Sequence, residues 1–343
     1  MLFLVVSCAQ KEVKQEDITV GMILPLTGNF AFFGEQARSG ALIALEEIND
    51  SNFKVIFDDE KCIPREAVLV YQKLKNDKVD FIIGPACTGS ILAVASQVKN
   101  DQGKMLAVLD AGEEVSKQGN GIYALGFDSE EEGYLIAEYI IKNNIKKVGI
   151  LYEIDEWASL VKDAFKKRFV ELGGTIVTEE GQDTTDHDYR TSLLKVFNKN
   201  PQALYIAPAY NGGYVLKQLK EINKKIAVFG PDTFGINEVI TVAGETANGV
   251  VYSSVIVNEK SKAAIEFQKR YKQKYGKESE SLLYAGLGYD SVKITYEVLK
   301  NKRSFEEIKD YEGIIKVNHF DENGMAKMQP VVMMINNSKF VEI

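Results

Sequence analysis

The sequence predicts an α/β protein built as two similar, doubly wound lobes, and three observations carry that expectation. Short β-rich runs ending in Gly, Pro or Asp alternate with helical patterns, the signature of a parallel sheet wound with helices. The alternation runs through one half of the chain and then starts afresh, as two sheets in series require. At 343 residues the chain also exceeds one ordinary hydrophobic core.

In the first half "ITVGMILPL" precedes the helical "GEQARSGALIALEEIN", and "FKVIFDD" precedes "PREAVLVYQKLKN". "VDFIIG" then leads into "SILAVASQVKN", and "KMLAVLD" into "GEEVSKQ". The second half opens on "EEEGYLIAEYIIKNN" and continues through "KKVGILYE", "EWASLVKDAFKKRFVELGG", "QALYIAPA", "GGYVLKQLKEIN", "KIAVFGPD" and "INEVITVAG". After "GVVYSSVIV" come two long helical patterns, "KAAIEFQKRYKQKYG" and "SLLYAGLGYDSVKITYEVLKN". The tail from "GIIKVNHF" onward reads as a hairpin and a final strand.

A net charge of -8 without an uninterrupted basic block argues against nucleic acid as a partner. Lysine-rich pieces such as "FKKRF" and "KRYKQKYGK" are interspersed with acidic and apolar residues at helical spacing and read as solvated helix faces. A metal site is disfavoured, because the only histidines, His187 and His319, are far in sequence from any cysteine.

In open parallel sheets ligands bind outside the carboxyl ends of the strands. The loops there are "LPLTGNFAFFG", "DDEKCIP", "GPACTGS", "LDAGEE", "YEIDEW", "PAYNGG" and "GPDTFG". Their glycines, hydroxyls, aromatics and carboxylates suit a small polar ligand. No Gly-x-Gly-x-x-Gly fingerprint or phosphate-cradling lysine motif is present, which disfavours a dinucleotide enzyme, and no cofactor is expected.

The first residues, "MLFLVVSCAQ", hold an apolar run too short to span a bilayer, then small residues, then Cys8. A cysteine directly after "VVS" resembles the lipobox of bacterial lipoproteins, although a positively charged leader is missing; a plain cysteine in a tail is the alternative. Lipidation of Cys8 would make residues 1–17 a signal remnant and tether, with the protein outside the cytoplasm and anchored to the membrane. Cys62 and Cys87 would then remain, either paired or as two buried thiols.

The stretch "VGMILPLTGNFAFFGEQARSGALIALEEIN" resembles the opening of the leucine/isoleucine/valine-binding family of periplasmic solute-binding proteins, the receptors of ABC importers. "DDEKCIPREAV", "IIGPACTGS", "ILYEIDEW", "FGPDTFG", "GVVY" and "YAGLGYDSV" follow in the family's order and spacing. The resemblance implies two lobes joined by a three-segment hinge: residues 18–127 with 252–328, and residues 128–251 with 329–343. It implies a disulfide between the positions of Cys62 and Cys87.

The resemblance also assigns a ligand-binding set. A ligand carboxylate would be held at the position of Thr88, helped by Gly89 and Ser90, and an ammonium would meet Asp232. Phe33, Trp157 and Tyr210 stand where aromatics line the cleft, with Tyr284 as a further candidate. The loop of Asp110, Ala111 and Gly112 departs from the family, because Gly112 supplies no hydroxyl where Ser or Thr is common. Asp110 and Glu113 add negative charge there, which points to a different amino acid, an amide or a cationic compound.

Simpler roles compete with these. Thr88 and Ser90 could cap a helix, and Asp232 could cap the helix beginning near Ile236. Trp157 could belong to the core, while Asp58 and Asp59 could serve turns. The expected function is that of a monomeric transport receptor that closes on its ligand and docks on an ABC permease, with a ligand sensor on the same fold as the alternative. An enzyme is disfavoured, since no nucleophile, base and orienting group assemble at recognisable spacing.

Overall fold

The computed structural model describes residues 17–343, so Cys8 lies outside the described residues. Strands β1 (Ile18–Leu24), β2 (Phe53–Asp59), β3 (Phe81–Ile83), β4 (Met105–Asp110) and β5 (Ile122–Phe127) form a parallel sheet in the order β2-β1-β3-β4-β5. Helices α1 (Ala31–Ile48), α2 (Pro64–Asn76), α3 (Thr88–Asn100) and the single turn α4 (Glu113–Ser116) connect them.

The chain then crosses to a second sheet. Its parallel part comprises β6 (Lys147–Glu153), β7 (Thr175–Gln182), β8 (Ala203–Ala207), β9 (Ala227–Gly230) and β10 (Val251–Val255). Helices α5 (Ser129–Lys142), α6 (Glu156–Glu171), α7 (Arg190–Phe197), α8 (Gly212–Glu221) and α9 (Asn237–Ala243) wind around it. After α10 (Lys262–Tyr275) and α11 (Leu282–Lys300), strands β11 (Lys309–Glu312), β12 (Lys316–Phe320) and β13 (Ala326–Lys327) make a small antiparallel sheet. The hairpin of β14 (Pro330–Asn336) and β15 (Lys339–Glu342) completes the second sheet in the order β15-β14-β10-β9-β8-β6-β7.

Strands β3, β5, β8 and β10 are buried along their whole length, because helices or further strands cover both sheet faces. One face of the first sheet packs α1 and α11, and the other packs α2 and α3. Helices α1 and α11 cross with backbones nearly touching. A Cβ on Gly40 would occupy the space of the Ala285 carbonyl, and one on Gly288 that of the Ala37 carbonyl. This close crossing fixes Phe33 and Tyr284 on adjoining helices, with ring centroids 4.8 Å apart.

Three connections pass between the sheets, after β5, after β10 and after β13. Two of them run side by side, since Ile256 N–H donates to the Gln329 carbonyl at 3.0 Å. The boundary expected between residues 251 and 252 cuts through β10. That strand pairs with β14 along residues 251–255 and with β9 at residues 251 and 252, so the ladder holds all of it in the second sheet. The tail also differs from the expected hairpin and final strand: it is two hairpins, one in the small sheet and one extending the second. Strand β7, "TIVTEEGQ", escapes the apolar pattern because it is an edge strand whose side chains are mostly half-buried and polar.

Candidate functional site

The carboxyl ends of parallel strands from both sheets face each other across a cavity of about 250 Å3. The first lobe brings the ends of β1, β3 and β4 to it, and the second brings the ends of β6, β8 and β9. Phe33, Thr88, Gly89, Asp110, Trp157, Asp232 and Tyr284 all line it. Of the sequence-derived set, Ser90, Ala111, Gly112 and Tyr210 do not. Ala111 N–H donates to the Phe127 carbonyl, and Gly112 N–H turns back onto Asp110 Oδ1 at 3.2 Å. Tyr210 packs edge-on against Phe33 at 5.8 Å and opens onto a neighbouring cavity with His187 and Tyr214.

Helix α3 begins at Thr88 with Cys87 at its N-cap position, where no side chain makes a capping hydrogen bond, so neither hydroxyl caps it. Thr88 Oγ1 instead donates to Asp110 Oδ2 at 2.5 Å. Ser90 Oγ donates to Glu60 Oε2 at 2.5 Å, and Glu60 is fully buried. Between them, Glu156 Oε2 from the second lobe fills the space a Cβ on Gly89 would take. The side chains of Thr88 and Ser90 and the open face of Gly89 thus each meet a protein carboxylate.

Asp110 is held by three donors, adding Ser129 Oγ at 3.0 Å to Thr88 and Gly112. Burial still pushes its carboxyl above the usual range, with the hydrogen bonds opposing that shift. Asp232 starts a short turn, Asp232–Phe234, ahead of α9, whose cap residue is Ile236; it does not cap that helix. Its Oδ2 accepts from the Tyr284 hydroxyl at 2.9 Å, joining the second lobe to α11 of the first. Burial raises its carboxyl as well, and the nearby Asp110 charge adds to this.

Beneath Asp232 lies a residue that the sequence reading passed over. Glu132 is 1% exposed, and its Oε2 accepts from Asp232 N–H at 2.9 Å and Ser253 Oγ at 3.0 Å. Burial first, and the Asp232 charge second, hold it well above the ordinary carboxylate range. A signal was present: Glu132 falls four residues before Ile136 and eight before Ile140, on the buried stripe of α5.

Two more carboxylates were hidden in "YEIDEW". Asp155 caps α6 by accepting from Ala158 N–H at 3.0 Å, while its Oδ2 is buried without a partner. That cap sets Glu156 and Trp157 at the cavity wall. Asp58 and Asp59 lie outside the cavity: Asp58 pairs with Lys73, and Asp59 accepts from Leu26, Thr27 and Lys61 to brace the turn after β1. Glu113 pairs with Lys117 at the surface.

Cys62 and Cys87 form a disulfide, with Cα atoms 5.4 Å apart. It ties the loop after β2 to the start of α3. Among the described residues, one group has metal-ligand spacing, Glu60 with these two cysteines, and the disulfide removes both thiolates as ligands. No helix of the described residues is long and apolar enough to cross a membrane.

Two doubly wound lobes closing over a cavity at their strand ends define a solute-binding protein of the two-lobed type. A family model for periplasmic binding proteins matches residues 17–320, and the chain belongs to that family. Membership carries an extracytoplasmic location. A Leu/Ile/Val-binding protein, BraC3, of Rhizobium johnstonii is 26% identical over 261 residues, covering 73% of this chain and 71% of the relative. The leucine-binding protein LivK of Thermotoga maritima superposes with a TM-score of 0.86 at 23% identity, covering 95% of this chain and 97% of that one. A solute-binding protein of an ABC transporter from Rhodopseudomonas palustris BisB5, solved with 3,4-dihydroxybenzoic acid, gives 0.85 at 23% identity, covering 95% and 96%.

Proposed function

We propose that this chain is the receptor of an ABC-type importer: it captures a small polar ligand, an amino acid or a related compound, and delivers it to a membrane permease. The observation that carries the reading is a cavity whose walls come from both lobes and are bridged by the Tyr284–Asp232 hydrogen bond. A ligand touching both walls stabilises only the joined state, which couples binding to a shape a permease can recognise. The named relatives are binding proteins, which supports binding over catalysis. The fold neighbours include a leucine-binding protein and a solute-binding protein solved with a dihydroxybenzoate, so ligand class has to be argued from the cavity. Within this reading the receptor acts as a monomer, tethered through a lipidated Cys8; mass spectrometry of the membrane-extracted protein tests the tether.

A thermal-shift screen against amino acids, amides and small cations tests the receptor function. A ligand at ~100 times its dissociation constant adds about 2.7 kcal/mol. The best compound should then shrink the radius of gyration in solution scattering and change the fluorescence of Trp157, the single tryptophan. An unchanged scattering curve at saturation would remove the closing receptor.

A further inference from the structure

We infer that the ligand is a small organic cation without a carboxylate group, such as an amino-acid amide or a primary amine with an apolar or aromatic body. The inference rests on the receptor reading above and names the ligand class for the same cavity.

Three observations lead to it. The cavity wall holds four carboxylates, Asp110, Asp155, Glu156 and Asp232, and no lysine, arginine or histidine. Asp110 and Asp232 are each more than nine-tenths buried, so water screens them little. Any carboxylate placed beside them would need a compensating cation, and the wall offers none.

The second observation concerns the start of α3. A ligand carboxylate there would use the Thr88 hydroxyl and the backbone around Gly89 and Ser90. Each of those three residues already faces a protein carboxylate: Asp110 on Thr88, Glu156 over Gly89 and Glu60 on Ser90. The Thr88 and Ser90 hydroxyls therefore spend their protons on protein carboxylates, and a ligand carboxylate at the helix start would lie beside Asp110 and Glu156.

Third, Asp155 Oδ2 is buried at the same wall with no hydrogen-bond partner. A buried acceptor left unpaired is costly, and a ligand N–H is the group that would satisfy it. The rest of the wall is apolar or aromatic, with Phe30, Phe33, Trp157 and Tyr284. An ammonium among carboxylates and a body against rings is the complementary molecule, and the rings themselves favour cations over their faces.

Matched pairs that differ only at the carboxyl group test this on the unmodified protein. Calorimetry would compare leucine with leucinamide and phenylalanine with phenylalaninamide, with phenethylamine as the amine lacking both groups. The expected result is at least tenfold tighter binding of the amide in whichever pair fits, with phenethylamine retaining measurable affinity. Asp110→Asn should narrow the amide preference to less than threefold, because the fixed charge facing the carboxyl position is gone. Equal or tighter binding of the free amino acids overturns the inference, and so does an absence of binding by all five compounds. Lobe closure by some other solute, a carboxylic acid for example, would leave the receptor reading standing while the cation reading falls. No closure with any solute of the wider screen would remove both.

Discussion

The hydroxyl of Tyr284 donates to Asp232 Oδ2 at 2.9 Å across the cleft, from a helix of one lobe to the turn after β9 in the other. Both residues are buried, so the bond forms where water competes little. It is a direct, buried polar link between the lobes, beside ring contacts such as Phe33 on Tyr210 and the bond from Ser129 to Asp110.

Removing that hydroxyl should therefore loosen the ligand-free protein. Tyr284→Phe keeps the ring against Phe33 and deletes a hydrogen bond to a charged group, worth about 1.5 to 3 kcal/mol. The ligand-free radius of gyration should rise in solution scattering, while saturating ligand restores the compact value. An unaltered ligand-free curve would show that the bond does not hold the lobes together.

Asp232→Asn separates binding from stability. If the aspartate meets a positive group of the ligand, losing its charge should weaken binding about ten- to more than a hundredfold. The ligand-free protein should melt at the same temperature or higher, because Glu132 no longer faces a second carboxylate. The backbone hydrogen bond from residue 232 to Glu132 survives the change. Calorimetry paired with a melting curve reads both; unchanged affinity would leave Asp232 without an anchoring role.

The disulfide closes a loop with a sequence separation of 25 between Cys62 and Cys87. Chain-entropy arguments give about 3.5 kcal/mol for a loop of that length. Replacing both cysteines by serine should lower the urea midpoint accordingly, and thiol titration of the native protein from an oxidising compartment should find neither sulfur free. Because the bridge anchors the start of α3, ligand affinity should fall as well.

Stability should decline as pH rises toward neutral. Burial pushes the carboxyls of Glu60 and of Asp290, a fully buried residue of α11, up to about 7, whereas in the unfolded chain both titrate near 4. Between those values the folded protein binds more protons than the unfolded one, so the stabilisation is fully present below about pH 4 and is lost as pH climbs through about 7. Each group contributes at most about 1.4 kcal/mol per pH unit across that window. Melting temperatures of the ligand-free protein should be higher at pH 5.5 than at pH 8. The opposite trend would show these groups ionised throughout.

Much of the architecture was legible because the alternation of strand and helix depends on local chemistry. Apolar runs such as "VDFII" and "ALYIA" announce buried parallel strands, and the loops after them announce the cleft. The order of the motifs pointed to Phe33, Thr88, Trp157 and Asp232 at its wall. Strand β7 and the lobe to which β10 belongs were not legible, because an edge strand with polar side chains carries no distinctive pattern and a strand next to a crossover gives no sign of which sheet it joins.

By itself the sequence determined that there are two wound lobes with a ligand cleft at their strand ends, since strand polarity dictates where such loops gather. It also showed that Asp110 brings unexpected charge to the loop after β4. Only the tertiary structure decided what Thr88, Gly89 and Ser90 touch. Asp110, Glu156 and Glu60 reach them from three separate segments, 22 residues away in the case of Asp110 and 30 in that of Glu60. The Glu132 carboxylate and the Asp232 backbone N–H that donates to it lie 100 residues apart in the chain and meet only because α5 packs against β9. Charge acts through space and burial removes the water that would screen it, so the character of the cavity is set by the packing of distant segments.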